Sequence, residues 1–372
     1  MLQLTERERA LHAGELGAGN ALAMRLVVRA AEVLGAERLI PITRAHVDSC
    51  LYHGPATLDF ADALLAGGAQ VSVPTTLNVG TLDLLHPELW RGSAETAERG
   101  RRLMEAYRAL GCRPTFTCAP YQLPDARPTL GEQVAWAESN AIVFCNSVLG
   151  ARTERYGDFI DIACAITGLV PDAGLHRADA RRAVLVLRLA ADVPAVVLSD
   201  DALYPVLGLV LGRRAGSRVA AIDGLAPVSE DRLKAIGAAA ASSGAVAMFH
   251  VVGTTPEGPT LEAALGGEEA EETVEVSLAE LRAARDALTS AAGAAPGERI
   301  GAVSLGTPHA SAGELGEIAR LLEGNRVAAG VELLISTSRD TLALAEGDGT
   351  AERLRRAGAE LLVDTCSYLG PV

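Results

Sequence analysis

The chain is nearly devoid of lysine: Lys234 is the one lysine among 33 lysine and arginine residues. The imbalance is a compositional bias, and it excludes a broad set of chemistries built on a lysine amine. There is no basic run longer than a pair such as Arg101-Arg102, and the formal charge is −14. A surface of that sign repels a phosphate backbone, so no nucleic-acid partner is expected. No apolar run reaches the ~20 residues a membrane helix needs, and no basic-then-apolar leader opens the chain. The six cysteines, at 50, 112, 118, 145, 164 and 366, include no C-x-x-C pair. A reducing cytoplasm and a protein that does not span a membrane are the expectation.

Familiar catalytic signatures are missing too. Gly14, Gly17 and Gly19 lie between helical segments and do not follow a strand, so they make no dinucleotide fingerprint. The sequence has no G-x-x-x-x-G-K-[ST], no H-E-x-x-H and no G-x-S-x-G. Ser49, His46 and Asp48 could be drawn as a hydrolase triad, but residues one to three apart in one loop rarely form one.

What is present describes a well-packed α/β protein. The 372 residues are 49% hydrophobic and 22% charged, enough for a sizeable core and two or three domains. Thr5/Glu8, Ser277/Glu280 and Ser311/Glu314 are capping-box patterns. Helices are expected over 57–65, 93–110 and about 158–167. Strands are expected over 38–42, 69–73, 183–189, 195–198, 219–222, 245–251 and 300–305. This alternation predicts mostly parallel sheets flanked by helices. Ligands then sit beyond the carboxyl ends of strands. Six polar loops occupy that position: His46-Val47-Asp48-Ser49, Thr75-Thr76-Leu77-Asn78, Thr117-Cys118, Gly306-Thr307-Pro308-His309, Ser336-Thr337-Ser338-Arg339 and Asp364-Thr365-Cys366.

The densest polar stretch, 115–153, holds Cys118, Cys145, Glu138, Ser139, Asn140, Asn146, Ser147 and Arg152. Thiolates in strand-end loops suit zinc or iron–sulfur binding, and a cluster acting as a Lewis acid leaves one metal position open, which makes three protein ligands natural. Cys118, Cys145 and Cys366 are the candidates. Spacing alone leaves a second reading open, in which they are small buried hydrophobes.

The motifs IPITRAHVDSCLYHG, VSVPTTLNVGTLDLLHPELWRG, PTFTCAPYQ, GEQVAWAESNAIVFCNSVLGARTERYGDF, FHVVGTTPEGPT, GTPHAS and DTCSY resemble those of the aconitase X family, from about Leu39 to Tyr368. The resemblance implies an aconitase-like, multi-domain catalytic region, divided here into 1–180 and 181–372. It implies dehydration at an iron centre: an iron–sulfur cluster, two-iron ahead of four-iron, or mononuclear iron. HVDSCLYHG, VGTLDLLHPE, FCNS and DTCSY are similar to the bacterial branch that converts cis-3-hydroxy-L-proline to Δ1-pyrroline-2-carboxylate and water; an archaeal branch dehydrates mevalonate 5-phosphate. By the same resemblance Cys118, Cys145 and Cys366 hold the iron, and His46, Asp48, Ser49 and His309 serve catalysis. Thr75, Thr76, Asn78, Glu138, Ser139, Asn140 and Arg152 would bind a small carboxylate substrate. Family members carry a small swivelling domain, fused or separate, with the proton-abstracting serine, and continue past DTCSY. The expectation is a small aconitase X subunit acting in trans, or a chain inactive alone.

Overall fold

In the computed structural model, which describes residues 2–225, 227–289 and 297–366, Thr5 accepts the Glu8 amide while the Glu8 carboxylate accepts that of Thr5. This box starts helix α1 (Glu6–Ala13). The first α/β stretch continues through α2 (Ala18–Val33), β1 (Leu39–Pro41), β2 (Ala45–Val47), α3 (Pro55–Ala66), β3 (Thr75–Leu77), α4 (Ala94–Ala109), β4 (Ala135–Trp136), α5 (Ser139–Ser147), α6 (Ile160–Thr167) and β5 (Leu169–Pro171). The strand order β3-β2-β4 forms a parallel sheet, and β1 pairs antiparallel with β5. Helices α2, α3, α4 and α6 bury Met24, Val27, Leu64, Leu103, Met104 and Ile162 against it. Each such side chain contributes on the order of 1.5–3 kcal/mol.

A second stretch contains β6 (Leu185–Leu189), α7 (Ala195–Ser199), α8 (Leu203–Ala215), β7 (Ala220–Asp223), α9 (Glu230–Ser243), β8 (Phe249–Val251), α10 (Leu261–Ala264), β9 (Glu272–Val276) and α11 (Leu278–Asp286). Its sheet, β8-β7-β6-β9, is wholly parallel. The third stretch has β10 (Ala302–Ala310), α12 (Ala312–Leu321), β11 (Glu332–Thr337), α13 (Arg339–Gly347), α14 (Thr350–Ala357) and β12 (Ala359–Leu362), again with a parallel sheet, β10-β11-β12. Mostly parallel sheets flanked by helices are thus observed.

Several local expectations change. Residues 195–198 form helix α7, not a strand: Val196 is 73% exposed, so no sheet rewards the β-branched run, and Pro194 starts a helical turn. Residues 69–73 form no strand; the Val71 amide bonds Leu110 O and the Ser72 amide Ala165 O, so this extended segment is tied to helix ends. His46 and Val47 lie on β2, and Thr75, Thr76 and Leu77 form β3, so these residues are not in loops. Helix α6 begins at Ile160 after Phe159, which has φ 73° and no side-chain cap. At Ser277 only the serine half of the capping box forms. Ser367 and Tyr368 of the DTCSY motif lie outside the described residues.

Candidate functional site: a cleft at strand ends

Parallel strands β2, β3 and β4 end side by side, so the residues that follow them, Asp48, Asn78 and Glu138, converge. They open onto a cleft of about 1040 Å³ whose other walls are α9 of the second stretch, the 305–308 segment, α12 and Cys366. The register explains the third wall. β10 pairs with β11 from Ala302 to Leu305, loses register, and pairs again at Ala310 with Thr337. Residues 306–309 bulge out of the sheet, and Gly306 permits it: its φ is +88°, and a Cβ there would meet Ser336 O at 2.0 Å.

Four described non-glycine residues have left-handed φ: Phe116 (41°), Glu138 (70°), Phe159 (73°) and Asp364 (62°). Three of them adjoin the site, and Phe159 lies behind it. Phe116 and Asp364 precede Cys118 and Cys366 by two residues, Glu138 lines the cleft, and the Phe159 amide donates to Ser49 Oγ. Strain of roughly 1–3 kcal/mol per residue collects where function needs a fixed geometry.

The carboxyls in the cleft are unusual. Burial raises Glu138 to about 8, with the charge of Asp48 adding to it. Burial likewise raises Asp48 to about 6, opposed by a hydrogen bond from Asn78 Nδ2. With Nδ2 committed to Asp48, Asn78 Oδ1 is buried without a partner. It is an acceptor left for a ligand N–H. Glu138 caps α5 through the Ala141 amide (2.9 Å) and also accepts from Asn140. Ser139 lines the cleft beside it. Asn140 spends its amide on Glu138, Cys118 O (3.0 Å) and the Tyr121 hydroxyl (2.7 Å).

Cys118 and Cys366 share one small buried cluster with Val79, and both line the cleft. Each sulfur meets a polar partner: Cys118 Sγ accepts the His309 amide at 3.2 Å, and Cys366 Sγ lies 3.2 Å from Thr307 Oγ1. Two thiols so placed fit the sulfur donors of an iron group. Cys145 does not join them. It sits one and a half turns along α5 from Ser139 and Asn140, packed with Trp136, Phe144 and Leu149 in a separate apolar cluster. The three-thiol set expected from the sequence is not assembled among the described residues.

His309 is wholly buried. Its Nε2 meets Thr365 O at 2.9 Å and its Nδ1 meets Thr117 Oγ1 at 3.0 Å. A carbonyl only accepts, so Nε2 carries the proton and Nδ1 accepts from Thr117. Burial lowers its pKa to about 4, so the ring is neutral and joins the two cysteine loops. His46 is lowered to about 3 by burial. Its Nδ1 meets Thr76 Oγ1 at 2.8 Å while Nε2 has no partner. It is a neutral ring behind the sheet ends, outside the cleft lining.

Other expected residues lie elsewhere. Ser49 points away from the cleft into Asp161. Asp161 also accepts the amides of Asp48 (2.7 Å) and Ser49 (3.2 Å), so its carboxyl, from α6, shapes the turn that carries Asp48. Thr75 bonds Val73 O at 2.9 Å, and Thr76 is spent on His46. Arg152 Nη1 donates to His176 O at 3.2 Å and faces a different groove; Arg155 likewise reaches carbonyls of Val246 and Ala241. Neither arginine pairs with Asp158 or Asp161. Lys234, set aside from composition, is on the cleft wall, 4% exposed, with its ammonium on Glu314. Nothing in its sequence neighbourhood signals this; only its rarity does.

A cleft beyond the carboxyl ends of parallel strands, shared by three α/β stretches and lined by thiols and carboxyls, defines a multi-domain protein built to hold a small molecule. The chain matches the family models for the aconitase X first domain over residues 1–179, second domain over 184–286 and third domain over 300–372. It belongs to the aconitase X family. A cis-3-hydroxy-L-proline dehydratase of Pseudomonas aeruginosa is 46% identical over 96% of this chain and 61% of its own length. One from Hypocrea jecorina is 43% identical over 98% and 61%. The phosphomevalonate dehydratase large subunit of Thermococcus kodakarensis is 35% identical over 100% of this chain and 90% of its own. The chain thus spans about 61% of the length of the two hydroxyproline relatives. The crystal structure of Thermococcus kodakaraensis aconitase X in its holo-form superposes with a TM-score of 0.87 at 34% identity, covering 98% of this chain and 89% of that one. No helix of the described residues is long and apolar enough to cross a membrane.

Proposed function

We propose that this chain is the large part of a hydro-lyase that dehydrates cis-3-hydroxy-L-proline to Δ1-pyrroline-2-carboxylate. The observation that carries the reading is the charge of the cleft. Its lining holds six carboxyl side chains, Asp48, Glu138, Asp201, Asp231, Glu314 and Glu317, of which Glu138 is protonated and Glu317 pairs with Arg320, against Arg232 and Lys234. Both cations are already paired, Arg232 with Asp201 at 2.7 Å and Lys234 with Glu314. Such a wall repels a phosphate and suits the protonated ring nitrogen of an imino acid. The greater identity to the hydroxyproline relatives points the same way.

In the cis isomer the 3-hydroxyl and the carboxylate share a ring face, so the α-proton lies opposite and leaves anti to the hydroxyl. Asp48, held by Asn78 Nδ2, and the unsatisfied Asn78 Oδ1 take the ring N–H groups. Glu138, protonated at neutral pH, donates toward the leaving hydroxyl. Cys118 and Cys366 would hold the iron group, which when bound supplies Lewis acidity at that oxygen; its nuclearity is part of the proposal only as a cluster or single iron on thiolates. His309 orients both cysteine loops. The α-proton goes to a base on a small companion subunit, a partner consistent with the name "large subunit" borne by the Thermococcus relative. The C2=C3 enamine so formed then gains a proton at C3 and loses one from nitrogen to give the Δ1 imine. A boundary near residue 180 is supported by the first core, whose buried members run from Leu11 to Ala173. The six free thiols support a cytoplasmic setting.

The test is anaerobic reconstitution of the chain with its companion, measuring iron, acid-labile sulfide, visible spectrum and turnover. Iron retention that collapses in Cys118→Ser, and turnover of cis-3-hydroxy-L-proline but not mevalonate 5-phosphate, are expected. Turnover of the phosphorylated substrate instead would refute the charge argument.

A further inference from the structure

The only lysine of a chain otherwise committed to arginine sits where three acceptors converge on one point. Lys234 Nζ contacts Glu314 Oε2, His309 O at 3.4 Å and Asp231 Oδ1 at 3.8 Å. An ammonium offers three donors from a compact centre, whereas a guanidinium is a planar fork. With side-chain exposure of 4% the ammonium depends on these acceptors, whose single point of convergence suits a compact donor better than a fork. The acceptors belong to different parts of the molecule. Asp231 lies in the first turn of α9 and also accepts the Ser311 hydroxyl at 3.0 Å. Glu314 closes the capping box of α12. His309 is the residue whose ring bridges Thr117 and Thr365 and whose amide meets Cys118. Its carbonyl takes a second donor from the first stretch, Gln122 Nε2 at 3.0 Å.

We propose that Lys234 is a positioning residue of the cleft: it locks α9 to α12 and, through the His309 carbonyl, fixes the two loops that present Cys118 and Cys366. Removing the ammonium leaves Glu314 and Asp231 as facing carboxylates and takes one of the two side-chain donors from the His309 carbonyl, in a bulge where the β10–β11 register is interrupted. The lock holds before any iron or substrate is present; only its effect on turnover rests on the proposed function.

The experiment alkylates the reduced, metal-free full chain with iodoacetamide and follows each cysteine by peptide mass spectrometry. In Lys234→Met and Glu314→Gln, Cys118 and Cys366 are expected to react roughly tenfold or more faster than in the wild type, while Cys112 and Cys164 in the first core keep wild-type rates. Lys234→Arg is expected to resemble Lys234→Met. Unchanged rates at Cys118 and Cys366, or an equal rise at every thiol, overturn the proposal. In the reconstituted enzyme kcat falls with KM little changed. A wild type that turns over no hydroxyproline would sink the functional reading and leave the alkylation pattern to decide the lock.

Discussion

Asp161 shows how far one buried carboxyl can act from its place in the chain. It forms no ion pair among the described residues, and burial, the largest effect on it, raises it from 3.8 to about 7 despite the hydrogen bonds it accepts. The unfolded state is therefore ionised above about pH 4 while the folded state still holds the proton, and stability from this group declines as pH rises from about 4 to 7. Urea unfolding at pH 5 and pH 8 should show the loss in the wild type, and Asp161→Asn should flatten that part of the slope. An unaltered slope in the variant would mean that Asp161 does not titrate in this window. The same residue explains Ser49: a serine between Asp48 and Cys50 looks catalytic in sequence, yet its hydroxyl is spent on a helix 112 residues away.

At the scale of elements, the 306–309 bulge is the device that brings a sheet residue to the cleft. Gly306 cannot carry a side chain without displacing Ser336 O. Gly306→Ala should cost at least about 1–3 kcal/mol, each kcal/mol lowering Tm by roughly 2–4 °C, and should reduce iron retention along with it. A scanning-calorimetry trace that superposes on the wild type would contradict this geometry. Elements were legible where pattern and packing agree: the Thr5/Glu8 and Ser311/Glu314 boxes start helices as read. They failed at 195–198, where an apolar β-branched run never meets a sheet.

For the whole molecule, Arg181 joins the first two stretches. Its guanidinium, with side-chain exposure of 2%, pairs with Glu257 and donates to Asn146 Oδ1, Asn146 O, Leu175 O and Ala151 O, the last four at 3.0–3.1 Å. Stripping it to methionine leaves Glu257 and several carbonyls without a donor, at a cost of about 3–5 kcal/mol. Equilibrium denaturation of Arg181→Met should show that loss and separate transitions for the two stretches; a single transition at the wild-type midpoint would count against the hub. The third stretch docks on the first through Asp83, which accepts the Val363 amide at 2.9 Å, and Asp364, which accepts that of Leu84 at 3.2 Å.

The α/β class, the mostly parallel sheets, the two capped helices and the family were legible in the sequence alone, because hydrophobic period, caps and polar strand-end loops are local properties. The nearness of Asp48 and Asn78 follows from the same pattern, since residues that follow neighbouring parallel strands of one sheet share its end. The tertiary structure decided which way each side chain faces. It turned Cys145, Ser49 and Arg152 away from the cleft and brought Lys234 to it, because facing depends on register, helix phase and partners more than a hundred residues away, none of which a local pattern encodes.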